Sequence, residues 1–495
     1  MSESPPTSPA GRKHRLLLAS MIGIGTLIRV PQLGHLLYEP YSFRQTQTAF
    51  VIREYSRHGI DLLSSPLPVF GAGSNVPLEF PLFQALAALL TQTGLSPEFS
   101  ARLLGLVCFQ FSAVLLWILV RRWHSVRAAH IAVALMQFLP FALAWGAASL
   151  IEFMAVGLGL GMVLALDTYL RRGGPRYLAL GAAAAWLCAL VKITTLVPWS
   201  VLFVFAALSL PRTRRGITRS AAAAVLGPGV GLLLATLWSR YADSVKSHEA
   251  ATRFLTSSEL ADWNFGSVAI RLSATSNQAM AYHALVEVGG PLGLGLITAA
   301  VGARVGVGSP WHRGGLAMTF ISGPLVLFNL YAVHSYYWVA VLPALAALAA
   351  LGIVALVDRL ARGASRPARV AAMLTGVFIM VAVAVPGGPG EVAQFAHPNS
   401  PPGLSARVAA QTAPDEQLLV VGCDWDPTLL YAADRTGFMI RNTSKEAEPS
   451  QRSMSSYRHL VSCNASIDPS GYLPEGWRAV ATADNLIYLV VRDAA

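Results

Sequence analysis

The chain has 495 residues, is 54% hydrophobic and carries only 13% charged residues. A soluble protein of that length needs far more charge to cover its surface, so composition excludes an ordinary soluble globule. The net charge of +11 is not a nucleic-acid footprint: the arginines fall in short loops between apolar runs, the positive-inside pattern of a membrane protein.

Taken in chain order, residues 1–15 hold the polar stretch SESPPTSPAG and are expected to be a disordered cytoplasmic N-terminus. The first apolar run follows Arg12, Lys13 and Arg15 with no small-residue cleavage site after it, and reads as an uncleaved anchor. Apolar runs of about the length needed to cross ~30 Å of hydrocarbon recur from there. They lie near 16–33, 101–120, 128–147, 150–170, 176–191, 193–210, 221–238, 284–303, 315–333, 337–357 and 369–386, about 11 transmembrane helices in all. Alternating them keeps Arg121, Arg122, Arg127, Arg171, Arg172, Arg176, Arg212, Arg214, Arg215 and Arg219 on the cytoplasmic side. The long segments 34–100 and 239–283, and everything after 387, then lie outside. Two points carry this alternation. The run 80–93 must be an interfacial helix and not a span. The runs 176–191 and 193–210 must stay separate where they meet at Lys192.

The segment 387–495 changes character. Pro and Gly punctuate 386–403, and QLLVVG (417–422) and NLIYLVV (485–491) read as strands of a small extracytoplasmic α/β domain. The expected fold is thus an α-helical polytopic membrane domain over 16–386, with a long first external loop, plus that C-terminal domain. Cys108 and Cys188 lie in apolar spans and read as packing. Cys423 and Cys463 form a disulfide only if their domain is extracytoplasmic. Asn442 and Asn464 head N-x-S/T sequons, which matter only in a glycosylating compartment.

Groups able to do chemistry collect at the outer ends of the spans. The first loop holds Glu39, Arg44, Gln45, Gln47, Arg53, Glu54, Arg57, Asp61 and Glu79. Glu152 starts the fourth span, Lys192 marks the next outer turn, and His334, Tyr336 and Tyr337 stand between the ninth and tenth. Ionisable groups at that depth are costly and mark function when they persist. Carboxylates serve as general bases or metal ligands, and Arg and Lys grip phosphate. The set suits an amphiphile with a phosphate head, such as a polyprenyl-phosphate sugar. Transfer from it needs a base for the attacking hydroxyl and cations for the departing phosphate. Each residue also has a plainer reading. Glu79 can favour a helix N-terminus, Lys192 can snorkel to the interface, and Tyr336 and Tyr337 can belong to an aromatic belt. Arg53, Glu54 and Arg57 read as a solvated helix face; Asp424, Trp425 and Arg435 read as structural.

The stretch YEPYSFRQTQTAFVIREY (38–55), followed by PLEFPLFQALAALL (77–90), resembles the first external loop of bacterial GT-C glycosyltransferases. The match is to the glycosyltransferase family 39-like group, related to protein O-mannosyltransferases and lipid A aminoarabinose transferases. VKITTLVP (191–198) is similar to that family's Lys-containing turn, HSYYWVAVLPALAALAALG (334–352) to its H-x-Y-Y segment, and DWDPTLLYAADRTG (424–437) to a stretch of the outer domain. The resemblance implies a GT-C fold in a bacterial inner membrane. It also implies a polyprenyl-phosphate sugar donor and inverting transfer to an extracytoplasmic glycan, lipid or protein acceptor. Many members carry an Asp near the segment here occupied by Phe43–Gln47, where this chain has Arg44, Gln45 and Gln47. Glutamine takes no proton at neutral pH. Either Glu39 or Glu79 supplies the base, or the enzyme is altered or inactive; Glu79 is preferred because it matches the acidic position before the F-P-L turn. Arg44, Gln45, Gln47, Lys192, His334, Tyr336 and Tyr337 are the expected substrate-binding set. Glu152 matches an acidic residue that some members place near a metal, although the sequence itself requires no cofactor. A transporter or flippase of lipid-linked glycans, or a non-catalytic envelope-assembly protein, are the competing readings. Against the transporter stand the lack of repeated halves and the gathering of charge at one face.

Overall fold

The computed structural model describes residues 9–39, 41–383, 403–441 and 454–492. The helices of its first half are α1 (Pro9–Arg29), α2 (Ser42–His58), α3 (Leu82–Thr91), α4 (Pro97–Trp123), α5 (Val126–Phe138), α6 (Pro140–Trp145), α7 (Glu152–Arg172), α8 (Pro175–Leu208), α9 (Arg214–Ala224) and α10 (Val230–Ser247). Then follow α11 (Ala261–Phe265), α12 (Val268–Leu272), α13 (Ala274–Tyr282), α14 (Leu294–Val305), α15 (Pro310–Val326), α16 (Phe328–Val333), α17 (Leu342–Ala361) and α18 (Arg366–Val383). The chain divides into two compact units. One takes Met1–Leu33, Arg102–Trp238 and Ala261–Phe395; the other takes Gly34–Ala101, Ser239–Leu260 and Ala396–Ala495.

The first unit is helical. Residues 9–15, expected to be disordered, form the first turns of α1, because the basic residues there are good helix formers continuous with the apolar run; residues 1–8 lie outside the described residues. Among the described residues, six helices are long and apolar enough to cross a bilayer, and a pair bent by 86°, Ala274–Val288 with Pro291–Val305, makes a seventh if counted as one span. Several of the other expected spans are broken by proline or glycine. The run 128–147 is split between α5 and α6, where Pro140 lacks the N–H of a continuing helix and forces Leu139 out of helical geometry (φ −59°, ψ 135°). Arg29, fully buried, satisfies carbonyls around that break, donating to Gln137 O at 3.0 Å, Ala142 O at 2.9 Å and Gly25 O at 2.8 Å. The run 284–303 turns at Gly289–Gly290, and 315–333 is interrupted at Leu327.

The two runs meeting at Lys192 both fall within α8, which is broken at Lys192, itself non-helical (φ −162°, ψ 93°). The packing shows that the chain reverses there. Gly181 lies against Leu166, Cys188 Sγ donates to Ala155 O at 3.3 Å, and Lys192 pairs with Glu152. Beyond Lys192 the order runs the other way: Trp199 packs on Gly159, and Ser209 and Arg171 share His312. α8 is therefore a hairpin with limbs of about 25 Å at 1.5 Å per residue. Arg176 stands at its open end, with Arg212, Arg214 and Arg215 on the segment after it and Arg171 and Arg172 at the adjoining end of α7; Lys192 sits at its tip.

The second unit contains a five-stranded sheet of order β2-β1-β3-β5-β4. Its strands are β1 (Gln417–Val421), β2 (Thr436–Met439), β3 (His459–Ser462), β4 (Trp477–Ala481) and β5 (Ile487–Arg492). β1 runs parallel to β2 and β3, and β5 antiparallel to β3 and β4. The apolar strand β1 is buried from Leu418 to Val421, as a strand covered on both faces must be. The edge strand β2 is covered by the first loop. Residues 65–76 form a hairpin, closed by Leu67 N–H to Ser74 O at 3.0 Å and Val76 N–H to Ser65 O at 2.9 Å. Its tip exchanges hydrogen bonds with β2: Gly437 N–H to Pro68 O at 3.1 Å, Met439 N–H to Val69 O at 2.8 Å and Gly71 N–H to Gly437 O at 2.8 Å. Leu67, Val69 and Phe70 join Leu418, Val420, Leu430 and Val461 in one core. α3 spans ten residues, about 15 Å and too short to cross a bilayer.

Cys423 and Cys463 are joined in a disulfide, with 5.4 Å between their Cα atoms and 40 residues of separation. A loop of that length is worth about 4 kcal/mol in the chain-entropy account. Replacing both cysteines by alanine is expected to lower the stability of this unit by that order, seen as a drop in its thermal midpoint. An unchanged midpoint would show that the sheet holds itself without the cross-link.

Candidate functional site

The residues singled out in the sequence form two clusters, one in each unit. In the helical unit, Glu152 opens α7, where an acid suits the helix N-terminus, and Lys192 occupies the tip of the α8 hairpin. Their side chains are ion-paired and almost fully buried, at 2% and 3% exposed. The Lys192 ammonium lies over the rings of Tyr337 at 4.4 Å and Tyr336 at 5.6 Å, a cation–π arrangement. Tyr336 and Tyr337 stack at 4.9 Å, and His334 stacks on Tyr336 at 5.3 Å. Trp145 meets Tyr336 edge-on and Trp263 meets His334. Four separated segments thus deliver one cation, one carboxylate and an aromatic wall to the end of the hairpin opposite its arginines. Glu152 fits an ion pair better than a metal site. Its neighbour is an ammonium, and among the described residues no group of three or more His, Cys, Asp or Glu is placed to hold an ion.

In the second unit, every residue of α2 from Arg44 to Tyr55 is buried, polar residues included. Buried polar groups must be partnered. Arg44 donates to Gln47 Oε1 and forms an ion pair with Glu79. Thr46 Oγ1 donates to Ser42 O at 2.8 Å and lies 3.2 Å from Thr428 Oγ1. Glu79 keeps 26% of its side chain exposed, against 11% for Arg44. Arg44, Gln47, Glu79 and Gln84 line a cavity of about 20 Å³, room for roughly one water. Glu39 and Gln45 are buried. Gln84, one turn into α3, has no signal in the sequence; it joins the cluster only because α3 packs against α2.

Arg53 and Glu54, expected on a solvated helix face, are buried at 7% and 8% exposed. The reason is the C-terminal segment packed on α2. The Arg53 guanidinium lies over Phe50 at 4.2 Å and Tyr431 at 4.6 Å, donates to Tyr431 O at 3.0 Å and pairs with Asp434 at 2.8 Å. Arg57, nearer the surface, pairs with the same carboxylate at 2.9 Å. Burial alone would raise the Asp434 carboxyl, but hydrogen bonding from Arg57 and the charges of Arg53, Arg57 and Arg435 outweigh it and hold it below its ordinary value. Burial, and then the charge of Glu98, push the Tyr38 hydroxyl up to about 12. Arg435 donates to Ala409 O at 2.9 Å and Thr412 O at 2.6 Å. Trp425 stacks on Phe70 and meets Phe43 and Phe254 edge-on. Asn464 caps its own turn by accepting from Ser466 N–H at 2.9 Å, and Asn442 lies outside the described residues.

No family model and no curated protein matches the sequence itself. The fold has clear counterparts: the structural neighbours are GT-C glycosyltransferases. ArnT from Cupriavidus metallidurans, solved bound to undecaprenyl phosphate, matches with a TM-score of 0.61 and 15% identity over 96% of this chain and 97% of that one. Arabinofuranosyltransferase AftD from mycobacteria matches with a TM-score of 0.58 and 18% identity over 98% of this chain, which spans 40% of that longer protein. The Archaeoglobus fulgidus oligosaccharyltransferase AglB, in complex with an inhibitory peptide and a dolichol-phosphate, matches at 0.54 and 12% identity, over 90% of this chain and 69% of that one. At these identities the likeness establishes the fold: a multi-pass membrane protein of GT-C architecture.

The Glu152–Lys192 pair makes a direct prediction. Removing one member of a buried pair strands a charge and costs about 3–5 kcal/mol. Lys192→Met alone should therefore destabilise the purified protein more than Lys192→Met combined with Glu152→Leu. Thermal unfolding in detergent checks the order, and a double variant less stable than the single would show that the two residues do not act as a pair.

Proposed function

We propose that the chain is a membrane glycosyltransferase that moves a sugar from a polyprenyl-phosphate donor to an extracytoplasmic acceptor, with inversion. The observation that carries this reading is the Lys192 cluster. It places a buried cation under stacked aromatic rings at the tip of a membrane hairpin, in a fold matched end to end by ArnT, which was captured with undecaprenyl phosphate. Low dielectric strengthens the attraction between that ammonium and a phosphate. The disulfide supports an extracytoplasmic second unit, and the arginines at the open end of the α8 hairpin support a cytoplasmic inner face.

The chemistry assigned to the residues follows. Glu79 is the proposed base, with Glu39 the alternative. Glu79 is ion-paired with Arg44, and its partly exposed side chain is reachable. The acceptor hydroxyl gives its proton to that carboxylate as its oxygen attacks the anomeric carbon. The bond from that carbon to the phosphate oxygen breaks on the opposite face, and polyprenyl phosphate departs with the electron pair. Lys192, with Tyr336, Tyr337 and His334 around it, holds the departing phosphate charge. Arg44, Gln45 and Gln47 set the geometry around the base. Glu79→Gln should abolish sugar transfer, read as loss of labelled sugar from a polyprenyl-phosphate donor, while membrane expression stays intact. Full activity in that variant would remove Glu79 as base.

A further inference from the structure

A cavity lies in the second unit, lined by residues other than those of the Arg44–Glu79 cluster. It has a volume of about 590 Å³, within the ~300–1,000 Å³ of ligand-binding clefts. One wall is the tip of the 65–76 hairpin. Its backbone is held by the hydrogen bonds to β2, and its Phe70 ring is stacked on Trp425 at 6.4 Å and set edge-on against Phe254 at 6.1 Å. The other wall is the end of α10 and the turn after it. There Thr252 Oγ1 donates to Lys246 O at 2.8 Å, and Lys246 donates to Leu255 O and pairs with Asp243 at 3.2 Å. Both walls are therefore fixed by side-chain and backbone bonds before any ligand arrives.

The lining chemistry selects the ligand. Hydroxyls, an amide, His248 and the Glu249 carboxylate face the cavity, and no Arg or Lys is among the lining residues. That composition is unsuited to a phosphate and suited to a neutral molecule rich in hydroxyls. Asn75, which lines the cavity, is held in place as its Oδ1 accepts from Ser65 N–H at 2.7 Å. A carboxylate such as Glu249 accepts from hydroxyls with the strength of a charge-assisted bond. Phe70 supplies an apolar face against which the C–H face of a sugar ring can lie. At Gly73 a Cβ would meet nothing within 4 Å, so the backbone there fronts open space and lets a ring approach closely.

We infer that this cavity is an acceptor subsite that binds one or more neutral sugar rings of an extracytoplasmic glycan. The inference rests on the glycosyltransferase reading above, because a sugar subsite on the second unit gives that enzyme its acceptor.

The test reads binding without turnover. Full-length protein in detergent is examined by saturation-transfer NMR with mannotriose, maltotriose and arabinotriose as probes, and undecaprenyl phosphate binding by the wild type is measured in parallel. At least one trisaccharide should bind the wild type. Gly73→Trp fills the space without backbone strain, and Glu249→Gln removes the charge; each should weaken that trisaccharide at least ten-fold. Glu249→Gln keeps the test open if the tryptophan variant fails to fold. Binding of none of the probes, or equal binding by both variants, overturns the subsite. Trisaccharide binding by a wild type that does not bind undecaprenyl phosphate keeps the subsite and contradicts the donor assigned above.

Discussion

The second unit depends on three backbone hydrogen bonds between the first loop and the edge of the sheet. β2 would otherwise expose a row of unpaired N–H and C=O groups, a liability that sheets cover, charge or shorten. The 65–76 hairpin covers it, and in doing so makes residues from opposite ends of the sequence into one core. With the hairpin fixed, α2 packs on the segment around Tyr431 and Asp434. Because that packing surrounds α2, its polar residues have to find partners inside the unit. The Arg44–Glu79 pair is one result. The Arg53–Asp434 pair, roofed by Phe50 and Tyr431, is another.

The helical unit obeys the same constraint in a drier setting. A lysine at a hairpin tip within an apolar bundle is expensive unless compensated. Glu152 compensates it by charge and Tyr336 and Tyr337 by their ring faces. Arg29 plays a purely structural part by the same physics: it satisfies carbonyls where proline has broken α5 from α6. The contrast is instructive. Arg29 donates to three backbone carbonyls and lies over the Phe109 ring, whereas the partners of Lys192 include a carboxylate and a pair of polarisable rings. The second arrangement is the one we propose exchanges partners with an incoming anion.

Much of this was legible in the sequence. Hydropathy marked the apolar runs, and the polar break at Lys192 in an apolar stretch marked the hairpin tip. Alternating the spans also brought Glu152, Lys192, Tyr336 and Tyr337 to one side, and the structure brings them into contact. What was not legible has physical reasons. α2 shows no amphipathic period because nearly all its faces are buried, so Arg53 and Glu54 read as solvated. The docking of 68–71 on β2 is made by backbone groups and leaves no trace in residue pattern. The breaks at Pro140 and Gly289 fall inside runs whose mean hydropathy conceals them. Cys423 and Cys463 could be named as candidates, but their pairing depended on the sheet that brings them together. The cavity beside Phe70 arises from two loops distant in sequence, and no local motif announces it.

The central claim is that Lys192 holds a polyprenyl phosphate. A structure of the full chain in lipid nanodiscs with saturating undecaprenyl phosphate tests it most directly. The account predicts phosphate density within hydrogen-bonding reach of Lys192 Nζ, against the rings of Tyr336 and Tyr337, with the Glu152 contact loosened or shared. Phosphate density at a site that excludes Lys192, or an unaltered Glu152–Lys192 pair with no bound lipid, would contradict it.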